Sequence, residues 1–138
     1  MTSQARAPVS TSEATTNGVQ VEARARFSAE HSSPQLAEWF FLYTIRITNL
    51  GEETVRLLSR QWEITDATGR VEEVRGPGVV GEQPVLAPGE AFEYTSGCPL
   101  KTPYGAMRGR YQMMATAGRR RFDAEIAPFE LRQPHGLQ

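Results

Sequence analysis

The chain has 138 residues, with 15 lysines and arginines against 16 aspartates and glutamates and a formal net charge of −1. That length suits one domain able to bury most of its apolar surface. The charge balance removes the global positive field with which proteins draw in nucleic acid or an anionic membrane, so such a partner would need a local patch. Cys98 is the only cysteine, which excludes an intrachain disulfide and fits a reducing compartment. No apolar run nears the roughly 20 residues needed to cross a bilayer, and the chain does not open on the apolar segment of a secretory signal. A cytoplasmic address is expected.

Residues 1–17 are rich in Ser, Thr and Ala and hold one valine as their largest aliphatic residue after Met1, which points to a disordered tail ahead of a folded domain over residues 18–138. From Val19 the chain alternates strictly, with Val19, Val21, Ala23, Ala25 and Phe27 on one face and Gln20, Glu22, Arg24 and Arg26 on the other, the pattern of a half-buried strand. A loop over His31 to Glu38 follows. Trp39 to Thr48 then predicts a strand with Phe41, Tyr43, Ile45 and Ile47 inward; its other face is apolar at Phe40 and Leu42 and polar from Thr44 onward. Asn49-Leu50-Gly51 makes a turn. Val55 to Asp66 predicts a further strand, with Arg60, Trp62 and Ile64 opposite Gln61, Glu63 and Thr65, and the turn Ala67 to Arg70 leads into a strand over Val71 to Val74.

The stretch Arg75 to Gly105 holds glycines and prolines too close together for a long helix. Within it Pro88-Gly89 marks a turn, Ala91 to Ser96 a strand with Phe92 and Tyr94 side by side, and Gly97 to Gly105 a loop. Two strands close the domain, Arg108 to Thr116 and Arg121 to Ala127, joined at Ala117-Gly118, with Phe129 and Leu131 pinning the C-terminal segment to the core. About seven to eight short strands without a convincing helix predict an all-β, immunoglobulin- or fibronectin type III-like sandwich of antiparallel strands, lacking the Cys-Trp-Cys framework of true immunoglobulin domains.

Gly76-Pro77-Gly78-Val79-Val80-Gly81 matches the spacing of the dinucleotide-binding glycine fingerprint. That fingerprint needs a helix after the glycines, whose N-terminal amides and dipole hold the pyrophosphate. Pro84 and Pro88 leave no room for it, and Pro77 removes an amide from the loop. A weaker form survives, an anion-binding nest in which Gly76, Gly78 and Gly81 bend the backbone and Arg75 supplies charge for a pyrophosphate or nucleotide. The favoured reading is that these glycines serve close backbone approach and positive φ in an irregular connection.

Other constellations are thinner. The two histidines, His31 and His135, have no evident catalytic partner, and Ser96 and Cys98 lie in T-S-G-C-P, which is not a nucleophile elbow. Cys98 reads as a small buried side chain. No zinc-type Cys/His spacing occurs. The pairs Glu52-Glu53 and Glu72-Glu73 point to opposite faces of a strand, and Asp66 reads as a turn cap rather than a ligand of a hydrated Mg²⁺. No cofactor, metal site or catalytic residue is therefore assigned. Arg108, Arg110, Arg119, Arg120 and Arg121 form the one basic patch; it could dock phosphate, nucleic acid or an acidic protein surface, but a charged hairpin tip more commonly serves solvation and edge protection. The aromatics Phe41, Tyr43, Trp62, Phe92, Tyr94 and Tyr111 read as core rather than as a base-stacking platform.

Several blocks, F-F-L-Y-T-I-R-I-T-N-L-G from Phe40, L-S-R-Q-W-E-I-T-D from Leu58, G-V-V-G-E-Q-P-V-L-A-P-G from Gly78 and F-E-Y-T-S-G-C-P-L-K-T-P-Y-G from Phe92, together resemble the bacterial ApaG family over residues from about 19 to 137. Gln61 departs from the histidine usual there. The resemblance implies a fibronectin-type sandwich in a cytoplasmic bacterial protein, and a genetic link to cobalt resistance, magnesium efflux and diadenosine tetraphosphate metabolism. It also implies kinship with domains that look like protein-binding modules in eukaryotic F-box and polymerase-interacting proteins. The resulting expectation is a non-enzymatic module with a protein partner, engaged by strand addition or through loops. The alternative is a small-ligand sensor, for pyrophosphate, a nucleotide or a divalent cation, at Arg75 and the Gly76 to Gly81 loop. The sequence assigns no oligomeric state.

Overall fold

Side chains that alternate between water and an apolar interior select strands, and the chain is built of them. The structure, a computed structural model, describes residues 9–134. Nine strands are found there: β1 (Ser10–Thr16), β2 (Val19–Phe27), β3 (Trp39–Asn49), β4 (Val55–Asp66), β5 (Val71–Pro77), β6 (Val85–Leu86), β7 (Ala91–Leu100), β8 (Tyr104–Ala115) and β9 (Arg120–Arg132). They form two antiparallel sheets, one ordered β1-β2-β3-β7, the other β5-β4-β8-β9 with β6 also paired to β4. The expected all-β sandwich is observed, with short 3₁₀ turns at 29–31, 34–36 and 117–119.

The alternation read from the sequence sets the core. Val19, Val21, Ala23, Ala25 and Phe27 of β2 and Phe41, Tyr43, Ile45 and Ile47 of β3 are buried and meet Leu57, Trp62, Met107, Tyr111, Met113, Ile126 and Phe129 of the second sheet. Trp62 joins the layers. Its ring lies 5.3 Å from that of Tyr43 across the interface and 6.0 and 6.5 Å from those of Phe129 and Tyr111 in its own sheet, all edge-on. Edge-to-face pairs of this kind add about 0.5–1.5 kcal/mol each beyond the area they bury.

Two bulges make this core possible. In β4 the buried positions pass from Leu57 to Trp62, an odd spacing that a regular strand cannot deliver on one face; the register shifts at Leu58 and reverses the phase. In β9, Ile126 and Phe129 are both buried although three residues apart, because Ala127 and Pro128 together stand against Arg108 of β8. A bulge is where a strand tolerates proline.

Three expectations require correction. Residues 10–16 are not part of an unordered tail but form β1, paired with β2 from Ser10↔Ala25 to Thr16↔Val19. The connecting Asn17 and Gly18 have φ of 48° and 82°, the left-handed pair of a type I′ hairpin. The Asn-Gly dipeptide is itself a hairpin signal that outweighs the polar composition of β1; residues 1–8 lie outside the described residues. Second, Gly97 to Gly105 is not a loop: β7 runs on to Leu100 and β8 starts at Tyr104. Gly97 is held in the strand by Phe40, whose ring would stand 2.2 Å from a Cβ placed there, and Pro99 is accepted because β7 is an edge. Third, the last strand extends to Arg132.

If β1 is structural, a chain beginning at Asn17 loses seven residue pairings of its first sheet and bares the backbone of β2. The midpoint of thermal unfolding should fall by at least about 5 °C, equivalent to a loss of about 1–2 kcal/mol, and the truncated protein should associate with rising concentration. Calorimetry and light scattering read both; an unchanged midpoint in a monomeric product would return residues 10–16 to the status of a tail.

Candidate functional site

A sandwich of two open sheets has two flanks, and here they differ. On one, β1 lies against β9: the Ser12 hydroxyl donates to the Ala127 carbonyl at 2.7 Å, and the Glu125 amide donates to Thr16 Oγ1 at 3.1 Å. That flank is sealed. On the other, β5 and β7 are the outermost strands of their sheets and no strand among the described residues bridges them. At one end of this open flank lies a cleft of about 390 Å³, with Trp39, Phe40, Ile64 and Leu100 as apolar walls and Glu38, Arg70, Glu72 and Lys101 among its charged lining. Those four charged residues are exposed, and none takes part in the ion pairs found among the described residues.

The glycine-rich segment sits beyond the far end of β5. Gly76 is still part of that strand, with the guanidinium of Arg60 lying over it so closely that a Cβ would stand 2.9 Å from Arg60 Nη2. Arg60 Nη1 donates to the carbonyls of Pro77 and Gly78 at 3.0 and 2.9 Å. The Gly78 amide donates to Leu58, and Val79 and Glu82 exchange both backbone bonds at 2.8 Å around Val80 and Gly81. The amides of Gly78, Val79 and Glu82 are thus already used, and Pro77 has none. Among the described residues, a nest in this segment is left with the amides of Val80 and Gly81.

The turn at Val80 departs from local preference. Val80 and Gly81 have φ of 41° and 82°, the same left-handed pair found at Asn17 and Gly18. Asparagine at the first of these positions is the residue type the backbone favours; a β-branched valine there is an outlier. Val79 is fully buried beneath the turn, whereas Val80 is 56 % exposed. Gln83 ties the next residue down, its amide nitrogen donating to the Leu58 carbonyl and its oxygen accepting from Arg56.

The remaining candidates resolve into structural roles. Asp66 Oδ1 accepts from the amides of Thr68 and Arg70 and from the Thr68 hydroxyl, and the Thr68 bonds hold its carboxyl below the usual range; it caps the turn between β4 and β5. His31 Nδ1 lies 2.7 Å from the hydroxyl of buried Ser28, whose carbonyl accepts from the His31 amide and from the Ser32 hydroxyl; the pair braces a loop against Phe40. His135 lies outside the described residues. Cys98 is buried, and burial, reinforced by the nearby Glu72 carboxylate, pushes its thiol up to about 12. A nucleophile needs the opposite shift. The hydroxyls of Tyr94 and Tyr111 meet at 2.6 Å inside the core, where burial raises both. No group of three or more His, Cys, Asp or Glu side chains able to hold a metal ion occurs among the described residues.

The basic patch divides. Arg108 pairs with Glu63, Arg110 with Asp123 and Arg120 with Glu53, at 3.0, 3.7 and 3.4 Å, whereas Arg119 and Arg121 are exposed on the β8–β9 connection and the start of β9. Such exposed pairs contribute at most about 1 kcal/mol each but cancel the local field. The strand register places Arg75, Gln61 and Arg110 in one row across the outer face of the second sheet, a juxtaposition that the sequence does not show because it depends on the Leu58 bulge. Arg75 is also paired, with Glu73 at 3.5 Å.

The sequence model of the ApaG domain family matches residues 29–115. The chain belongs to the ApaG family. It is 54 % identical over 123 residues to Protein ApaG of Rhodopseudomonas palustris, an alignment covering 89 % of this chain and 94 % of that protein. It is likewise 54 % identical over 122 residues to Protein ApaG of a Methylobacterium species, covering 88 % and 93 %. Among solved structures it is similar to the putative ApaA protein from Bordetella pertussis, with 50 % identity, a TM-score of 0.82 and coverage of 85 % and 94 %. The C-terminal domain of wzt, 10 % identical with a TM-score of 0.52, shares the fold alone, over 88 % of this chain and 77 % of that one. None of these family names carries an enzymatic activity. No helix among the described residues is long and apolar enough to cross a membrane.

The Cys98 environment sets an alkaline limit. The unfolded thiol ionises near pH 8.5, and the folded one only at about 12. Between these values the unfolded state has lost a proton that the native state still holds, so stability is complete below the unfolded value and falls as pH rises toward the folded one. The unfolding midpoint should be level from pH 6 to 8 and decline above about pH 9, less steeply in Cys98→Ala. Iodoacetamide at pH 8 should leave native Cys98 unmodified and alkylate it in denaturant; rapid native alkylation would refute the burial argument.

Proposed function

We propose that this chain is a non-enzymatic binding module whose partner is a protein, contacted through the rigid turn at Val80. The carrying observation is that an exposed valine occupies a left-handed position which the same fold fills with asparagine in its other two-residue hairpin. Left-handed backbone costs an ordinary residue about 1–2 kcal/mol, and strain of that kind persists where a side chain has another use. Solvent offers Val80 no compensation. A partner with a small apolar pocket would, and the turn is already fixed from beneath by Arg60, Val79 and Gln83, so little ordering entropy is lost on contact. The link to cobalt resistance and magnesium efflux implied by family resemblance would then run through the partner rather than through a metal held by this domain.

Val80→Asn separates the two roles of the residue. The variant should be more stable by about 1 kcal/mol, or about 4 °C in midpoint, and should nevertheless lose at least tenfold in capture of the partner enriched from host lysate by the parent protein. Arg121→Ala, on β9 two strands across the sheet from the stretch of β4 that the turn adjoins, should change neither. Stabilisation with undiminished capture would show that the valine is merely tolerated.

A further inference from the structure

The four outer strands of the two sheets are not equally available. β1 and β9 lie against one another, and two hydroxyls of β1 bond the backbone of β9. β5 carries Glu72, Glu73 and Arg75 and ends on Pro77, the charged and proline-terminated composition that discourages pairing. β7 is different. It is ten residues long, and among the described residues its only neighbour is β3 and no strand lies beyond it. Its outward-facing Glu93 is occupied by Arg24 and Arg46 of its own sheet at 3.7 and 3.5 Å. The cleft walled by Trp39, Phe40, Ile64 and Leu100 opens beside its C-terminal end, across from Glu72 in the first residues of β5.

We infer that the bare edge of β7 is a strand-addition site for an extended peptide segment of a protein partner, which places one large apolar side chain in the cleft. An added strand would present side chains alternately to the two faces, and those on the inner face would fall into the gap between the sheets. Main-chain bonds to β7 would supply affinity, and the cleft would select the side chain. Its volume of about 390 Å³ accommodates a leucine, phenylalanine or tryptophan side chain. Two carboxylates, Glu38 and Glu72, and two cations, Arg70 and Lys101, all exposed and without an ion-pair partner among the described residues, stand ready for flanking charges of the peptide. A polyphosphate is a poorer occupant, because the lining carries carboxylates and the walls are apolar. The inference rests on the reading of the chain as a protein-binding module but not on Val80, which lies beyond the other end of β5.

A phage-displayed library of random dodecapeptides selected on the purified full-length chain provides the test. Selected peptides should share one large apolar residue, protect amides of residues 91–100 from hydrogen exchange, and lose at least tenfold in affinity when alternate peptide amides are N-methylated while the intervening ones tolerate it. Val80→Asn should leave their affinity unchanged, so failure of the edge and failure of the turn are seen separately. No selected peptide, indifference to N-methylation, or protection confined to residues 76–85 would each overturn the assignment. Protection of β7 that grows with protein concentration in the absence of peptide would also overturn it, giving the edge to a second copy of the chain.

Discussion

The sandwich depends on a single inward side chain, the indole of Trp62, meeting the ring of Tyr43 from the opposite layer. Two sheets that carry alternating patterns can slide over one another, since aliphatic contacts are non-directional. Edge-on rings are not, because the positive rim of one must meet the negative face of another. Trp62 makes three such contacts at once, and the alignment of the layers follows. Its own placement requires the extra residue at Leu58, without which Trp62 would emerge on the outer face in the position now held by Gln61. Gly109 stands opposite in β8, where a Cβ would come within 2.1 Å of the Gln61 carbonyl, so the close approach of the two strands at this point is also part of the arrangement.

How far the sequence reveals this is uneven in an instructive way. The inward sets of β2 and β3 are legible residue by residue, since each strand keeps one phase throughout. β4 and β9 are legible as strands but not as surfaces, because a bulge has no composition of its own and reverses which residues lie together; the row Arg75, Gln61, Arg110 exists only after the Leu58 shift. β1 was concealed by its polarity. None of its side chains is fully buried, and its order comes from the hairpin at Asn17-Gly18 and from hydroxyl contacts to β9, which no hydrophobic pattern records. In the sequence β7 ends before Gly97, because glycine and proline signal loops in isolation, whereas in the fold one is covered by Phe40 and the other lies at a sheet edge. The glycine spacing at 76–81 was visible as spacing; that its amides already have acceptors, and that its second valine is the strained and exposed one, belongs to three dimensions.

The asymmetry of the flanks connects fold to use. A domain with both flanks open would be a hazard, and one with both sealed would have no backbone to offer. Here the seal employs short hydroxyl side chains on β1 that can reach across to β9, while the open flank is guarded on the β5 side by charge and on the β7 side only by Pro99 and the ion-paired Glu93. Burial of Cys98 on this flank, with its thiol pKa raised, keeps the chain's single thiol out of reach of whatever the edge meets.

The seal between β1 and β9 also has a kinetic meaning. Ser12 and Ala127 are 115 residues apart, so the bond that closes the flank joins the first strand to the last. Contacts of such sequence separation form late and make folding slow. During synthesis the nascent chain displays the first sheet for as long as β9 is still being translated, and its N-terminal strand stays on one hairpin without its lateral brace. The domain is complete only once β9 has emerged from the ribosome, which makes the interval before that the period of greatest exposure to mispairing and to the chaperones that prevent it.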